Sequence, residues 1–243
     1  LAYLKLKYTL DDLNRVSGKI LDAGCGGGGF AKAIKHYRND LDVYGVDIAR
    51  HAIAYAKKNS KEVNFSVGDL YKLSFGDEVF DAVVVEDVLE HLEKPYQALA
   101  EIGRVLKKNG VFSIFVPLEG SIFSLHFWLG KFGWMVKEKH AGHINKFMKK
   151  SLRFSLKNAG FDIERNRYSV HLLGQLVDVG FFAILDILGK KLEIGVEENL
   201  KDRSILRFIK DTIARLTNLE SQVLNFIPGA GIHIKAIKKW KRF

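Results

Sequence analysis

Three groups of residues in this chain are placed to do chemistry. The stretch ILDAGCGGGGF, residues 20–30, sets Gly24, Gly26, Gly27, Gly28 and Gly29 directly after an apolar run that ends in an acid, Asp22. Further acids close the next apolar runs: Asp47 after DVYGV, Asp69 after VNFSVG, and Glu86 with Asp87 after FDAVVV. Histidines follow, His91 inside LEHL and His140 and His143 inside KHAGHINKF. Glycine lets a backbone come close to a ligand with no Cβ in the way. A strand, then glycines, then a helix N-terminus makes a cradle at the carboxyl edge of a sheet. Histidine can take a proton from a hydroxyl near neutral pH.

The glycine loop satisfies two patterns. Gly24, Gly26 and Gly29 fit the GxGxxG of the nicotinamide fold, while Asp22, Gly24, Gly26 and Gly28 fit acid-x-G-x-G-x-G. Asp22 separates them, because a dinucleotide fold usually has an apolar residue there facing a pyrophosphate, and a carboxylate suits a ligand with positive charge. Asp47 suits two neighbouring ribose hydroxyls, a feature of both ligand classes. Asp69 suits an exocyclic amine of adenine, or else caps its own loop.

Strands must carry these acids to one edge. Apolar runs at 19–23, 42–47, 63–69, 80–87 and 110–117 alternate with helical patterns to about 37, over 49–58 and over 95–107. Five such runs separated by helices predict a parallel sheet covered on both faces. TLDDLNRV, 9–16, reads as a capped helix ahead of the first strand, and Gly110 reads as the C-cap of the fourth helix. Beyond Pro117 the rhythm breaks into an aromatic stretch, 120–136, with no clean period. A helix over 148–158, a strand over 161–168, helices over 170–188 and 202–225, and a strand over 231–237 follow.

In these residues the chain resembles the class I S-adenosylmethionine-dependent methyltransferases, the broad group that includes quinone, sterol and other small-molecule methyltransferases. ILDAGCGGGGF is similar to their first motif, VYGVDIA to the ribose-binding segment and VGDL to the adenine-binding segment. FDAVVVEDVLEHL resembles the fourth-strand signature, VLKKNGVFSIFVP the fifth strand, and HINKFMKKSLRFSLKNAGFDIE the segment before the sixth. The resemblance runs from about Gly18 to Val116, more weakly to Arg167. It implies a Rossmann-like α/β fold, a seven-stranded sheet with the last strand antiparallel, helices on both faces and a helical insertion before that strand. The expected division is a core over 1–168, an insertion or lid over 169–228, and a last strand with a basic tail over 229–243. It implies S-adenosylmethionine as cofactor and S-adenosylhomocysteine as product. The cofactor would be held by Asp22, Gly24, Cys25, Gly26, Gly28, Asp47, Ile48, Asp69, Leu70, Glu86 and His91. His143, then His140, stand ahead of the segment that bounds the acceptor pocket and are the candidate bases. No metal is expected: Glu90, His91 and Glu93 share one short helix, and no further ligand pattern converges on them.

Composition narrows the acceptor. With one cysteine, Cys25, in 243 residues the chain has no intramolecular disulfide and no CxxC zinc site, which fits a reducing cytoplasm. No signal peptide is evident. There is no Asn/Asp-Pro-Pro-aromatic tetrad after the fourth strand, which argues against DNA bases as acceptor, and no RNA-binding module. The net charge of +10 is uneven: residues 1–118 carry 16 basic and 16 acidic groups, and residues 119–243 carry 22 and 12. Phe123, Phe127, Trp128, Phe132 and Trp134, with the amphipathic run 170–188, favour a small or lipid-like acceptor over RNA. The tail IKKWKRF mixes cations and aromatics as membrane interfaces do, so a peripheral contact with an anionic membrane is expected. A cofactor-binding scaffold without catalysis is the non-enzymatic alternative.

Overall fold

The computed structural model describes residues 2–188 and 203–239. A helix α1 (Ala2–Asp12) precedes β1 (Lys19–Ala23), and the chain then alternates: α2 (Gly29–Tyr37), β2 (Asp42–Asp47), α3 (Arg50–Asn59), β3 (Asn64–Val67), β4 (Phe80–Glu86). A single 3-10 turn (Leu89–His91), α4 (Pro95–Val105) and β5 (Leu106–Pro117) follow. After β5 come α5 (Leu125–Lys131), α6 (Val136–Ala141), α7 (Lys149–Asn158) and β6 (Phe161–Ser169). The chain ends on α8 (Leu172–Leu188), α9 (Arg203–Val223) and β7 (Gly231–Lys238).

The seven strands form one sheet in the order β3-β2-β1-β4-β5-β7-β6. β1 to β5 pair in parallel, and β7 lies antiparallel between β5 and β6. Near-continuous apolar runs make the central strands, because helices cover both faces: Ala82, Val83, Val84 and Val85 of β4 are all fully buried. One core cluster gathers Phe80, Leu99, Ile102, Phe112, Leu152 and Leu156, and another gathers Leu13, Ile34, Ile53 and Phe65. Strand order reverses between β1 and β4, so a crevice opens beyond their carboxyl ends.

Two boundaries differ from expectation. The first helix runs over Ala2–Asp12 rather than 9–16. Its buried face is Leu4, Lys5, Tyr8, Thr9 and Asp12, so polar groups turned inward hid its period. Gly110 is no helix cap. Leu106 already pairs with Phe80, and the register then jumps to Ala82 with Val111, which makes 107–110 a bulge inside β5 with Asn109 at φ 61°. The tail residues Trp240, Lys241, Arg242 and Phe243 lie outside the described residues.

Candidate functional site

The glycine loop is sewn to the end of β2. The Gly24 and Cys25 N–H groups donate to the Val46 carbonyl at 2.8 and 3.0 Å, and Gly26 N–H donates to Asp47 Oδ2 at 2.8 Å. Asp47 Oδ1 accepts from Ala49 N–H at 2.8 Å, so this one carboxylate ties the two loops together. A Cβ on Gly24 would overlap Val88, and one on Gly28 would overlap the Phe65 ring. At Gly26 a Cβ would meet nothing within 4 Å. The backbone there faces a cleft of about 270 Å³ bounded by Asp22, Gly24, Gly26, Phe30, Glu86 and Asp87.

That cleft is acidic and under-satisfied. Asp22 is 2% exposed, its Oδ2 has no partner, and burial, with Asp47 adding to it, pushes its carboxyl up to about 7. Glu86 accepts from Thr9 Oγ1 at 3.2 Å, and its other oxygen is also without a partner. Burial raises Glu86 well above the ordinary carboxylate value; the Lys5 charge opposes this and Asp87 adds to it. Two buried oxygens without partners and an open backbone at Gly26 fit a ligand that brings positive charge and donor groups. Burial likewise raises the Cys25 thiol, which leaves it a small apolar wall.

The remaining expected cofactor residues lie around the cleft's outer edge or away from it. Ile48, after β2, is 72% exposed. Asp69 Oδ1 accepts from Tyr71 N–H at 2.8 Å, so it caps its own loop, and Leu70 packs into the core. His91 does not line the cleft. Its Nδ1 sits 3.2 Å from the Gly142 carbonyl oxygen, and its ring meets His143 edge-on at 4.8 Å.

A second cavity of about 1000 Å³ opens beside the first, between the end of β5 and helices α8 and α9. Its walls are mostly apolar, with Phe115, Val177, Phe181, Phe182, Ile213 and Ala230 among them. One wall carries a chain of ionisable groups. His143 Nδ1 is 2.8 Å from Glu119 Oε1, Lys137 Nζ bridges Glu119 at 2.9 Å and Asp178 at 2.8 Å, and His126 Nε2 is 3.0 Å from Asp178. Burial works against these charges, but pairing outweighs it: Glu119 is held below the ordinary carboxylate value and Lys137 above the ordinary ammonium value. His140 does not line this cavity; its Nε2 lies 3.2 Å from Asp186 of α8.

Sequence reasoning missed Lys5, Thr9, Glu119 and Lys137. Lys5 and Thr9 sit on a helix whose polar side faces inward, and the other two flank the aromatic stretch without a period. It also expected no convergence on Glu90 and His91, and the structure corrects this. The 142–145 segment folds back onto the 3-10 turn, with Ile144 and Asn145 N–H both donating to the Glu90 carbonyl at 3.0 Å. The donor atoms of Glu90, His91 and His143 come within 4.8 Å of one another. Glu90 is fully buried with neither carboxylate oxygen partnered, and burial, then Asp87, pushes it up to about 7.

Comparison with known proteins agrees with this geometry. Residues 21–114 match the family model described as a methyltransferase domain. The chain is 27% identical over 206 residues to the ubiquinone biosynthesis O-methyltransferase of Rickettsia typhi, covering 77% of this chain and 78% of that relative. Over 92 residues it is 34% identical to the demethylmenaquinone methyltransferase of Thermotoga maritima, 38% of this chain and 40% of that one. Among solved structures, the [4+2]-cyclase SpnF superposes with a TM-score of 0.67 at 19% identity, over 98% of this chain and 80% of that one. Geranyl diphosphate methyltransferase in complex with SAM gives 0.62 at 14% identity, over 96% and 84%.

Proposed function

We propose an acceptor and a route for this chain, which belongs to the class I S-adenosylmethionine-dependent methyltransferases. The cofactor's place is the acidic cleft of the glycine loop, and the acceptor's is the apolar chamber beside it. Asp22 and Glu86 present unpartnered carboxylate oxygens to the cofactor's positive end. The Gly24–Gly28 backbone and Cys25 form its floor, Asp47 takes the ribose hydroxyls, and Ile48 and Asp69 flank the base. S-adenosylmethionine supplies a methyl group already activated on a sulfonium, so the protein's task is alignment and exclusion of water.

The acceptor is a small, largely apolar molecule bearing a hydroxyl, of the lipid-like or quinone-related kind. The observation that carries this is the apolar chamber with one polar wall, set against the cleft. His143 lines that wall, and Glu119 holds its Nδ1, so Nε2 is left to take the acceptor's hydroxyl proton. Glu119 stays ionised beside Lys137 and so favours the imidazolium that this transfer forms. The related proteins named for ubiquinone and menaquinone biosynthesis support the same acceptor class.

Incubation with methyl-labelled cofactor and a cell extract, followed by solvent extraction, tests this. Label should enter the organic phase, and His143→Ala should abolish it while cofactor binding persists. Label confined to RNA in the aqueous phase would overturn the acceptor class.

A further inference from the structure

Helices α8 and α9 keep polar groups inside and leave leucines exposed. His171, just ahead of α8, and Gln175 on it are buried, with Phe182 against the chamber, whereas Leu172, Leu173 and Leu176 are exposed. On α9, Asn218 and Ser221 are buried, whereas Leu216, Leu219 and Val223 are exposed, at 53%, 59% and 61%. Several of the inward polar groups hold the helices in place. Gln175 accepts from Leu125 N–H at 2.6 Å and donates to the Phe123 carbonyl at 2.9 Å, Asp178 holds Lys137 and His126, and Ser221 Oγ accepts from Val170 N–H at 3.2 Å. A surface helix in water normally turns its apolar stripe inward. Two packed helices that both leave leucines exposed present apolar side chains on neighbouring elements, and an exposed apolar surface of that kind marks an interaction site.

We infer that this outward face of α8 and α9 docks on the surface of an anionic lipid bilayer, with the mouth of the apolar chamber opening onto the lipid. Three observations choose this occupant. Val177, Phe181 and Ile213 line the chamber and are also partly exposed, so apolar side chains run from the chamber wall to the exposed surface of these helices. The half of the chain that carries these helices holds 22 basic against 12 acidic residues, which suits anionic headgroups and sets a second copy of the chain against itself. Beside them on α5, Lys131 Nζ lies 4.8 Å from the Phe127 ring centroid and 5.2 Å from that of Trp128, a cation among aromatics of the kind interfaces favour. Among the described residues no helix is long and apolar enough to cross a membrane, so the contact is peripheral.

This surface extends the reading of an apolar acceptor above. The experiment reads binding alone, with no methyl transfer, so the two can fail separately. The full chain is floated with vesicles of phosphatidylcholine alone or with phosphatidylglycerol, at low and high salt. It should float with the anionic vesicles at low salt, and about tenfold less with neutral ones or at high salt. Leu176→Asp and Leu219→Asp, at exposed positions outside both cavities, should each weaken binding about tenfold or more with the melting temperature kept. Lys131→Gln should weaken binding several-fold to anionic vesicles only. Should either aspartate variant unfold, Leu176→Ser and Leu219→Ser carry the same test. Failure of the wild-type chain to float with either vesicle overturns the proposal. So does binding unchanged in the substituted chains, or a dimer in sedimentation that Leu176→Asp abolishes and that takes the place of vesicle binding.

Discussion

The Lys5 ammonium on α1 is paired with the Asp87 carboxylate at the end of β4, and both side chains line the acidic cleft and the larger chamber alike. The Lys5 side chain is 9% exposed and lies over the Phe115 ring, its Nζ 3.9 Å from the centroid. Asp87 itself sits in the left-handed region, at φ 54°, which aims its carboxylate back at the helix. On the proposed assignment of the two cavities, this pair stands in the wall between donor and acceptor, which would bring the N-terminal helix to the reaction.

Removing that cation should weaken the fold measurably. Lys5→Met keeps the apolar stem over Phe115 and deletes only the charge, leaving Glu86 and Asp87 to repel each other. With Asp87 half-exposed, the loss should be about 1–2 kcal/mol, short of that for a fully buried pair. Urea unfolding of wild type and variant measures it. An unchanged midpoint would show that the pair contributes nothing and that α1 is held by its other contacts.

The glycines of the loop divide into two jobs, and two alanine substitutions should separate them. At Gly28, φ is 76° and a Cβ would overlap Phe65 on β3, so Gly28→Ala should cost the fold about 2–3 kcal/mol. At Gly26, φ is 49° and the space is open, so Gly26→Ala should cost only about 1 kcal/mol of backbone strain. Its Cβ would instead stand in the cleft and weaken S-adenosylmethionine binding tenfold or more. Thermal melts and calorimetry on both variants read the two effects. A Gly26→Ala chain that binds cofactor like wild type would remove this backbone from the binding surface.

What could be read from the sequence follows where packing is repetitive. Val83, Val84 and Val85 read as a buried central strand and GIHIKAI after Pro228-Gly229 alternates as a strand, while its place as the last strand of the sheet came from the family resemblance, so strand placement came through nearly whole. The cradle was legible because glycine types at fixed spacing carry backbone geometry directly. The chamber was not. Its polar wall joins Glu119, Lys137, His143 and Asp178 from four separate segments, and no local pattern encodes such a meeting. Lys5 stayed hidden for a related reason: α1 buries charge, so its hydrophobic period is weak.

The last expectation concerns pH. Burial pushes Asp22 from its ordinary 3.8 up to about 7, so at pH 6 the free protein keeps it mostly protonated. A folded-state value above the unfolded one means that this group supports the fold most below about pH 4, and that its support is lost as pH rises through about 7. A cationic ligand beside Asp22 favours the carboxylate, so binding must release a proton, and affinity must climb with pH until the group is ionised in the free protein as well. Between pH 6 and pH 8 the dissociation constant for S-adenosylmethionine should therefore fall about tenfold. Calorimetry in two buffers of different ionisation enthalpy reads both the affinity and the released proton. Glu86 in the same cleft is raised well above the ordinary value by burial, and Glu90 is raised to about 7, so each can add a proton of its own and Asp22→Asn is the control. It should bind more weakly overall and lose the part of the pH dependence and of the proton release that Asp22 carries. Affinity that stays level in the wild-type chain, with no proton released, would place the positive end of the cofactor away from Asp22 and undo the assignment of this carboxylate.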